Sequence, residues 1–186
     1  MDEFTKKIYI LYGSVTGNGE SIAHILENML IEDFQQDVYC NSLNSIKNDV
    51  QCLHTKCKLL IIICSTTGNG DSPENASFFW NIIKKRSLPK DYLKNIPFIV
   101  LGLGDTNYDK FCYMGKSIDK RLQELGGKQY MPLQCADSST NFDEVIEDWY
   151  SNVINIIKKI IYVKWFMFNN NIIYKKNDTH FFYKDT

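Results

Sequence analysis

Three short segments carry the residues best suited to hold a ligand. The first loop is residues 13–19 (GSVTGNG), the second is residues 65–71 (STTGNGD) and the third is residues 102–109 (GLGDTNYD). Each combines glycines with hydroxyl or amide side chains, and the third adds an aromatic ring. Glycines let the backbone approach a ligand closely, and the hydroxyls add hydrogen-bond donors. These residue types indicate binding of a phosphorylated, polar molecule.

The first loop has the features of a phosphate site. It follows an apolar run and opens a helical pattern, so its backbone N–H groups and the hydroxyls of Ser14 and Thr16 can face one anion. No Lys-Ser or Lys-Thr follows its second glycine, which excludes a Walker A loop, and Ile22 stands where a dinucleotide fingerprint needs glycine. Without Lys or Arg, the loop suits a single terminal phosphate. An ordinary small-residue turn is the alternative.

The second and third loops suit a flat ligand. In the second loop, Thr66 and Thr67 precede Gly68 and Gly70, so a backbone peptide can face the ligand and change its orientation. In the third loop, Tyr108 can stack on an aromatic ring. The alternatives are a glycine-rich turn for the second loop and packing against the next helix for the third.

A phosphate site, a glycine loop and a stacking aromatic together favour FMN as the cofactor. Four acidic residues are expected around it: Asp71, Asp105, Asp109 and Asp137. Negative charge near a flavin opposes its anionic, fully reduced form, and a backbone carbonyl offered to a protonated N5 favours the neutral one-electron state. The pattern therefore predicts a one-electron carrier.

The elements that position these loops are read from hydrophobic patterning. Strands are predicted at 7–12, 37–41, 59–64, 97–101 and 129–133, and helices at 19–34, 74–85, 111–125 and 141–159. The stripe of the first helix is Ile22, Ile25, Leu26, Met29 and Leu30. Alternation of strands and helices predicts a three-layer α/β/α fold with a five-stranded parallel sheet in the order 2-1-3-4-5. The three loops then follow strands 1, 3 and 4, at the edge where such sheets bind ligands.

Composition limits the class of protein. The 186 residues, 44% hydrophobic and 23% charged, fit one globular domain, and six scattered cysteines show no disulfide framework. The expected domain is 4–160, followed by a poorly ordered tail rich in Asn, Lys, Ile and Phe at 161–186. The start, MDEFTKKIYILYG, lacks the features of a secretory signal, so a cytoplasmic protein without a membrane association is expected.

Charge divides unevenly along the chain. Residues 1–150 hold 15 basic and 20 acidic side chains, a net charge of −5, whereas residues 151–186 hold 6 and 2, a net charge of +4. The acidic folded part argues against nucleic acid as a partner, since nucleic-acid binders show a basic face. It suits a basic protein partner instead.

Several motifs in order resemble the FMN-binding, flavodoxin-like domain of the diflavin reductase family. They are LYGSVTGNGE, CSTTGNGDSPENASFFW, VLGLGDTNYDKFCYMGKSIDKRLQELGG and ADSSTNFDEVIEDW. The resemblance implies that the phosphate is held by Ser14, Val15, Thr16, Gly17, Asn18 and Gly19. It implies that the flavin is approached by Ser65, Thr66, Thr67 and Gly68. It further implies that the other flavin face is covered by Leu103, Gly104, Asp105, Thr106, Asn107, Tyr108, Asp109, Lys110, Phe111 and Cys112.

The family also implies partners. Electrons are expected to come from a reductase module or protein that binds FAD and NADPH, and to leave to a redox protein. No such module follows in the chain, so it is not expected to oxidise NADPH alone. One departure is Thr67, which stands where many members have an aromatic side chain and leaves one flavin face less shielded.

Three rival functions share the fold. One is a flavin-dependent quinone or substrate reductase, and another is a flavodoxin-type module of a radical enzyme. The third, a phosphoacceptor receiver, needs acidic residues at the end of the first strand, where this chain has LYG at 11–13. That sequence disfavours the receiver.

Metal-binding patterns are weak. Cys52, His54, Cys57 and Cys64 have no second pair at zinc-ligand spacing. His24 falls on the first predicted helix without an obvious partner. No metal site is expected from these spacings.

Overall fold

A computed structural model describes residues 6–169, with side chains as far as residue 162. The strands are β1 (Lys7–Gly13), β2 (Val38–Ser42), β3 (Cys57–Ser65), β4 (Pro97–Gly104), β5 (Lys128–Gln129) and β6 (Gln134–Asp137). The helices are α1 (Asn18–Glu32), α2 (Leu53–Lys56), α3 (Glu74–Ile83), α4 (Tyr113–Glu124) and α5 (Phe142–Asn169). The predicted central strands and the main helices are all present, with shifted ends.

The sheet confirms the predicted topology. All strand pairs are parallel, and the order is β2-β1-β3-β4, with β5 and β6 both pairing with β4. The register of the three central strands aligns Ile10, Ile61 and Ile99 across the sheet. These strands are continuous apolar runs because helices cover both of their faces.

The core is built from both faces of the sheet. One face forms a buried cluster in which Leu11, Ile62 and Val100 pack with residues of α3 and α4 such as Phe79 and Ile118. The other face is covered by α1, which contacts β1, β2 and β3. At the start of α5, Trp149 is fully buried. There the Tyr150 hydroxyl donates to the Ile22 carbonyl at 3.0 Å. The result is the predicted three-layer arrangement.

The fifth strand differs from the prediction. The prediction of a single strand at 129–133 is wrong, because pairing with β4 stops after Gln129 and resumes at Gln134. Between the two paired segments, the four residues 130–133 lie opposite only two residues of β4, Ile99 and Val100, so regular pairing cannot continue. Pro132 also has no N–H to donate to a neighbouring strand. The Tyr130 N–H still donates to the Phe98 carbonyl at 2.9 Å. The outer position is therefore shared by two short strands.

Two helices also depart from expectation. On α1, Ile22, Leu26 and Leu30 are buried, but Ile25 is 51% exposed and does not belong to the buried stripe. Helix α5 continues to Asn169, beyond the predicted end at 159. The predicted tail at 161–186 thus begins as helix, and positions 170–186 lie outside the described residues.

The chain divides into two compact units, residues 1–150 and 151–186. The first contains the sheet, helices α1 to α4 and the start of α5; the described part of the second is helical. Within residues 6–169, no helix combines the length and the apolar character needed to cross a bilayer.

Candidate functional site

The three loops meet at the carboxyl edge of the sheet. A cavity of about 540 Å³ opens there, within the range of about 300–1,000 Å³ typical of small-molecule sites. Twelve predicted site residues line it: Val15, Thr16, Asn18, Ser65, Thr66, Thr67, Gly68, Leu103, Gly104, Asp105, Tyr108 and Lys110. Segments far apart in sequence are therefore brought together at one site.

The first loop leaves the beginning of α1 open. Gly17 precedes the helix in the left-handed conformation, with φ 88°, and has no side chain to cap it. The Gly19 N–H donates to the Ser14 hydroxyl at 3.1 Å, and the Ser14 N–H donates to the Asn75 side chain at 3.0 Å. A Cβ added to Gly17 would meet no atom within 4 Å.

This geometry fits a phosphate group. The positive end of the α1 dipole lies at this loop, and the space over Gly17 is open. In the first turn, the Gly19 N–H already donates to the Ser14 hydroxyl and the Ser21 N–H to the Gly17 carbonyl. Thr16 lines the cavity with an exposed side chain, so its hydroxyl can add a donor. The structure therefore supports the phosphate role proposed for this loop, and the donors are backbone groups together with one hydroxyl.

The second loop is a tight turn. The Thr67 N–H donates to the Asp71 carbonyl at 3.0 Å, and the Asp71 N–H donates back to the Thr67 carbonyl at 2.8 Å. Gly68 and Gly70 both have positive φ, at 49° and 99°. Because Gly68 is exposed and lines the cavity, its peptide is available to face a flat ligand.

Thr66 has a structural role that the sequence did not reveal. Its hydroxyl accepts the Met114 N–H at 3.1 Å, in the first turn of α4. The residue before that helix, Cys112, makes no side-chain cap of its own. Thr66 thus caps α4 from the second loop, and this bond ties that loop to the segment that follows the third.

The third loop presents its aromatic ring to the cavity. The Asn107 N–H donates to the Asp105 carboxylate at 2.7 Å, and the Tyr108 N–H donates to the Asp105 carbonyl at 3.1 Å. This turn leaves Tyr108 67% exposed on the cavity wall. A large aromatic side chain so exposed has most of its surface free to stack on a planar ligand.

Asp137 holds the third loop from behind. One carboxylate oxygen accepts the Thr106 N–H at 3.1 Å and the Ser139 N–H at 3.0 Å, and the other accepts the Thr106 hydroxyl at 2.7 Å. The Ser139 hydroxyl adds a bond at 2.8 Å. These hydrogen bonds, that of the Thr106 hydroxyl above all, hold the pKa of Asp137 well below its usual range. The side chain therefore stays ionised at neutral pH.

Asp137, predicted as one of four acidic residues around the cofactor, lies behind the third loop. It is only 7% exposed and does not line the cavity, because its oxygens are used by the loop it anchors. Of the other three acids, Asp71 and Asp109 are exposed, and Asp105 lines the cavity.

The segment after the third loop packs tightly against β4. A Cβ on Gly104 would lie 2.6 Å from the Cys112 backbone nitrogen, and one on Gly115 would lie 2.6 Å from the Gly102 Cα. Cys112 is fully buried, and a hydrogen bond with the Cys135 thiol, together with burial, raises its pKa. It is a neutral packing residue outside the cavity lining.

Nine predicted site residues do not line the cavity. They are Ser14, Gly17, Gly19, Thr106, Asn107, Asp109, Phe111, Cys112 and Asp137. Two lining residues were missed, Ser138 and Phe142. Both follow β6, so the rule that ligands bind beyond the carboxyl ends of strands applies to them as well.

Comparison with known proteins agrees with this geometry. The flavodoxin family model matches residues 10–149. Methionine synthase reductase of Bos taurus is 36% identical over 155 residues, which cover 83% of this chain and 22% of that protein. The sulfite reductase (NADPH) flavoprotein alpha-component of Bacillus subtilis (strain 168) is 36% identical over 151 residues, covering 81% of this chain and 24% of that protein.

A solved structure covers nearly the same region. Oxidised flavodoxin 2 from Bacillus cereus matches with a TM-score of 0.66 and 26% identity, covering 82% of this chain and 99% of that one. The chain spans about a fifth to a quarter of the length of the curated relatives. It belongs to the flavodoxin family, whose cofactor is FMN, and it corresponds to the flavodoxin-like domain of the diflavin reductases.

Proposed function

We propose that this domain carries single electrons on FMN, from a reductase module that binds FAD and NADPH to a redox protein. The observation that carries the proposal is the convergence of three loops on one cavity, with a helix N-terminus in the first loop and an exposed tyrosine in the third. When bound, FMN supplies the one-electron chemistry. The protein supplies affinity and orientation.

The phosphate end is assigned to the first loop. The N–H groups at the start of α1 and the Thr16 hydroxyl would hold the phosphate, with no Lys or Arg in the loop. Hydrogen bonds to a charged group are about twice as strong as neutral ones. The phosphate is therefore expected to supply a large share of the affinity.

The ring end is assigned to the other two loops. Tyr108 would stack on one face, and the peptides of Thr66 to Gly68 would lie along the ring edge. The Asp105 carboxylate, which lines the cavity, accepts the Asn107 N–H at 2.7 Å, and this bond holds the turn that presents Tyr108.

The donor is expected to present a basic surface. Asp71 and Asp109 are exposed beside the cavity, and residues 1–150 have an excess of acidic side chains. Complementary charge accelerates the encounter of two proteins more than it strengthens their complex. A cytoplasmic location is part of the same proposal.

A reconstitution experiment tests the function. The chain is titrated with FMN, using the loss of flavin fluorescence as the signal, and then mixed with NADPH with or without an isolated FAD/NADPH reductase module. We expect FMN to bind, to stay oxidised with NADPH alone, and to accept electrons when the module is present. Partial reduction should give a one-electron-reduced flavin visible in the absorption spectrum. Rapid oxidation of NADPH with a quinone by the chain alone would instead support the substrate-reductase alternative.

The proposed donor surface is tested by charge reversal. Asp109→Lys should slow reduction by the module, most strongly at low ionic strength. Glu32→Lys is the matched control, since Glu32 is an exposed acid at the far end of α1, about 20 Å from the first loop by helix length. Equal slowing in both variants, or slowing independent of salt, would exclude steering by this surface.

A further inference from the structure

A second group of side chains with ligand chemistry lies where α1 packs beside β2. It consists of His24 and Glu27, one helical turn apart on α1, and Cys40 on β2. One potential ligand atom from each residue can be chosen so that all three lie within 4.8 Å of one another. None of the three lines the cavity described above. The group therefore needs its own explanation.

The fold brings these residues together across two elements. Cys40 pairs with Ile10 in the parallel ladder, so its side chain shares the sheet face of Ile10 and Tyr12. Tyr12 contacts α1 on that face, where its hydroxyl donates to the Glu20 carboxylate at 2.7 Å. The His24 Nδ1 lies 2.8 Å from the Glu27 carboxylate.

The cluster has an excess of negative charge. Besides Glu27, the Glu20 carboxylate lies 4.0 Å from the His24 Nε2. The Glu20 carboxylate also accepts the Tyr12 hydroxyl at 2.7 Å, so two carboxylates and a thiol lie around the His24 ring. A cation placed between the thiol and the carboxylates would relieve this crowding of acceptors.

We propose that His24, Glu27 and Cys40 form a binding site for Zn²⁺, with a water molecule in the fourth position. Imidazole nitrogen, thiolate sulfur and carboxylate oxygen are the ligands that zinc uses in proteins, at about 2.0–2.3 Å in a tetrahedral arrangement. Ca²⁺ and Mg²⁺ prefer shells made of oxygen, which this set does not offer. Atoms within 4.8 Å of one another need only side-chain adjustment to reach tetrahedral spacing.

Binding is coupled to proton release. The Cys40 S–H bond breaks as the Zn–S bond forms, and the proton leaves to solvent with no change in oxidation state. Affinity for Zn²⁺ should therefore rise with pH. Because the ligands come from α1 and β2, bound zinc would tie this helix to the edge strand and stabilise the folded chain by mass action.

The test is a metal titration of the whole chain loaded with FMN. Zn²⁺ affinity is measured by competition with a chromophoric chelator, and Co²⁺ is used as a probe because tetrahedral Co²⁺ with a thiolate ligand absorbs in the red, beyond oxidised flavin. His24→Gln and Cys40→Ser each remove one ligand. His24 is an exposed helix residue, with a side chain 48% exposed, so its variant should fold normally. Cys52→Ser is the control, because Cys52 is another half-buried thiol outside the cluster.

We expect one equivalent of Zn²⁺, red absorption with Co²⁺, and a higher thermal midpoint with Zn²⁺ in the unsubstituted chain. His24→Gln and Cys40→Ser should each weaken Zn²⁺ binding by at least the roughly 10–100-fold that loss of an outer partner costs at a metal site. Cys52→Ser should bind as the unsubstituted chain does. Equal affinity in all four proteins, Co²⁺ spectra typical of an octahedral aqua ion, or an equal loss in Cys52→Ser would overturn the proposal.

Discussion

The first and third loops serve the same cavity with opposite constructions. The first is open: Gly17, at the start of α1, has φ 88°, and a Cβ added there would meet no atom within 4 Å. The third is closed from behind, with Gly104 pressed against Cys112 and Thr106 bonded to the Asp137 carboxylate. In the proposed binding mode, the open loop would hold the phosphate and the side chain of Tyr108 on the closed loop would hold the flat ring.

The largest effect on stability is expected when a single methyl group is added to one or the other of these two loops. Gly104→Ala places a Cβ 2.6 Å from the Cys112 nitrogen, which is backbone, so we expect a loss of about 1–3 kcal/mol in the free energy of unfolding. Gly17→Ala meets no neighbour and should cost only the strain of a left-handed residue, about 1–2 kcal/mol. Urea unfolding of the two variants measures both losses.

Replacing each glycine by asparagine separates the two causes of lost stability, which are lack of space and backbone strain. Since Asn adopts the left-handed conformation more readily than Ala does, Gly17→Asn should recover part of the stability lost in Gly17→Ala. Gly104→Asn should recover none, because the limit there is space. Recovery at both positions, or at neither, would contradict the distinction between an open and a closed loop.

The second prediction concerns the ring side of the comparison. Tyr108→Ala should weaken flavin binding by about 1–3 kcal/mol, a rise in Kd of about 5–150-fold, because it removes a stacking surface. The loss should be the same for FMN and for riboflavin, which lacks the phosphate. Tyr108→Phe keeps the ring and is the control. A loss confined to FMN would mean that Tyr108 acts at the phosphate end.

The third prediction concerns the phosphate side. Thr16→Ala should weaken FMN binding by about 1–2 kcal/mol, or about 5–30-fold in Kd, through one lost hydrogen bond to a charged group. Riboflavin binding should not change, and Thr16→Ser should retain affinity for FMN. Fluorescence titration with both flavins checks this. An equal loss for the two flavins would remove Thr16 from the phosphate site.

The smallest effect is expected from Asp137, which holds the third loop through its hydrogen bonds. It should appear in how the stability of the fold depends on pH. The pKa of Asp137 is lowered in the folded protein, so below the ordinary Asp value of about 3.9 only the unfolded chain takes up the proton. The stabilisation from Asp137 is thus present above that pH and is lost as pH falls toward the folded pKa. In Asp137→Asn, unfolding between pH 4 and 3 should take up fewer protons, by up to about one. An unchanged slope of stability against pH would show that Asp137 is not the braced carboxylate.

Much of this architecture was predictable because it is encoded locally. The apolar runs of β1, β3 and β4 and the loops after them are contiguous in sequence, and the rule for parallel sheets then places those loops together. The split of the fifth strand was also marked locally, because Pro132 has no N–H to donate to a neighbouring strand. The prediction of a strand at 129–133 did not take this into account.

The features that were missed depend on distant partners. Asp137 reads as a member of an acidic rim until Thr106, 31 residues earlier, is found bonded to it. Thr66 reads as a ligand-facing hydroxyl until the register of β3 and β4 brings it to the start of α4. His24 has Glu20 and Glu27 beside it on its own helix, but Cys40 joins them only because β2 lies next to α1. Hydrogen bonds between side chains of separate elements leave no periodic signal in the sequence.

The contact between Gly115 and Gly102 has a consequence for the rate of the proposed electron transfer. At Gly115, helix α4 approaches strand β4 so closely that an added Cβ would lie 2.6 Å from the Gly102 Cα, which is backbone and cannot yield as a side chain can. We therefore expect this part of the frame to stay in place when the charge on a bound flavin changes. Under the proposed function, a frame that stays in place around the cofactor favours rapid electron transfer.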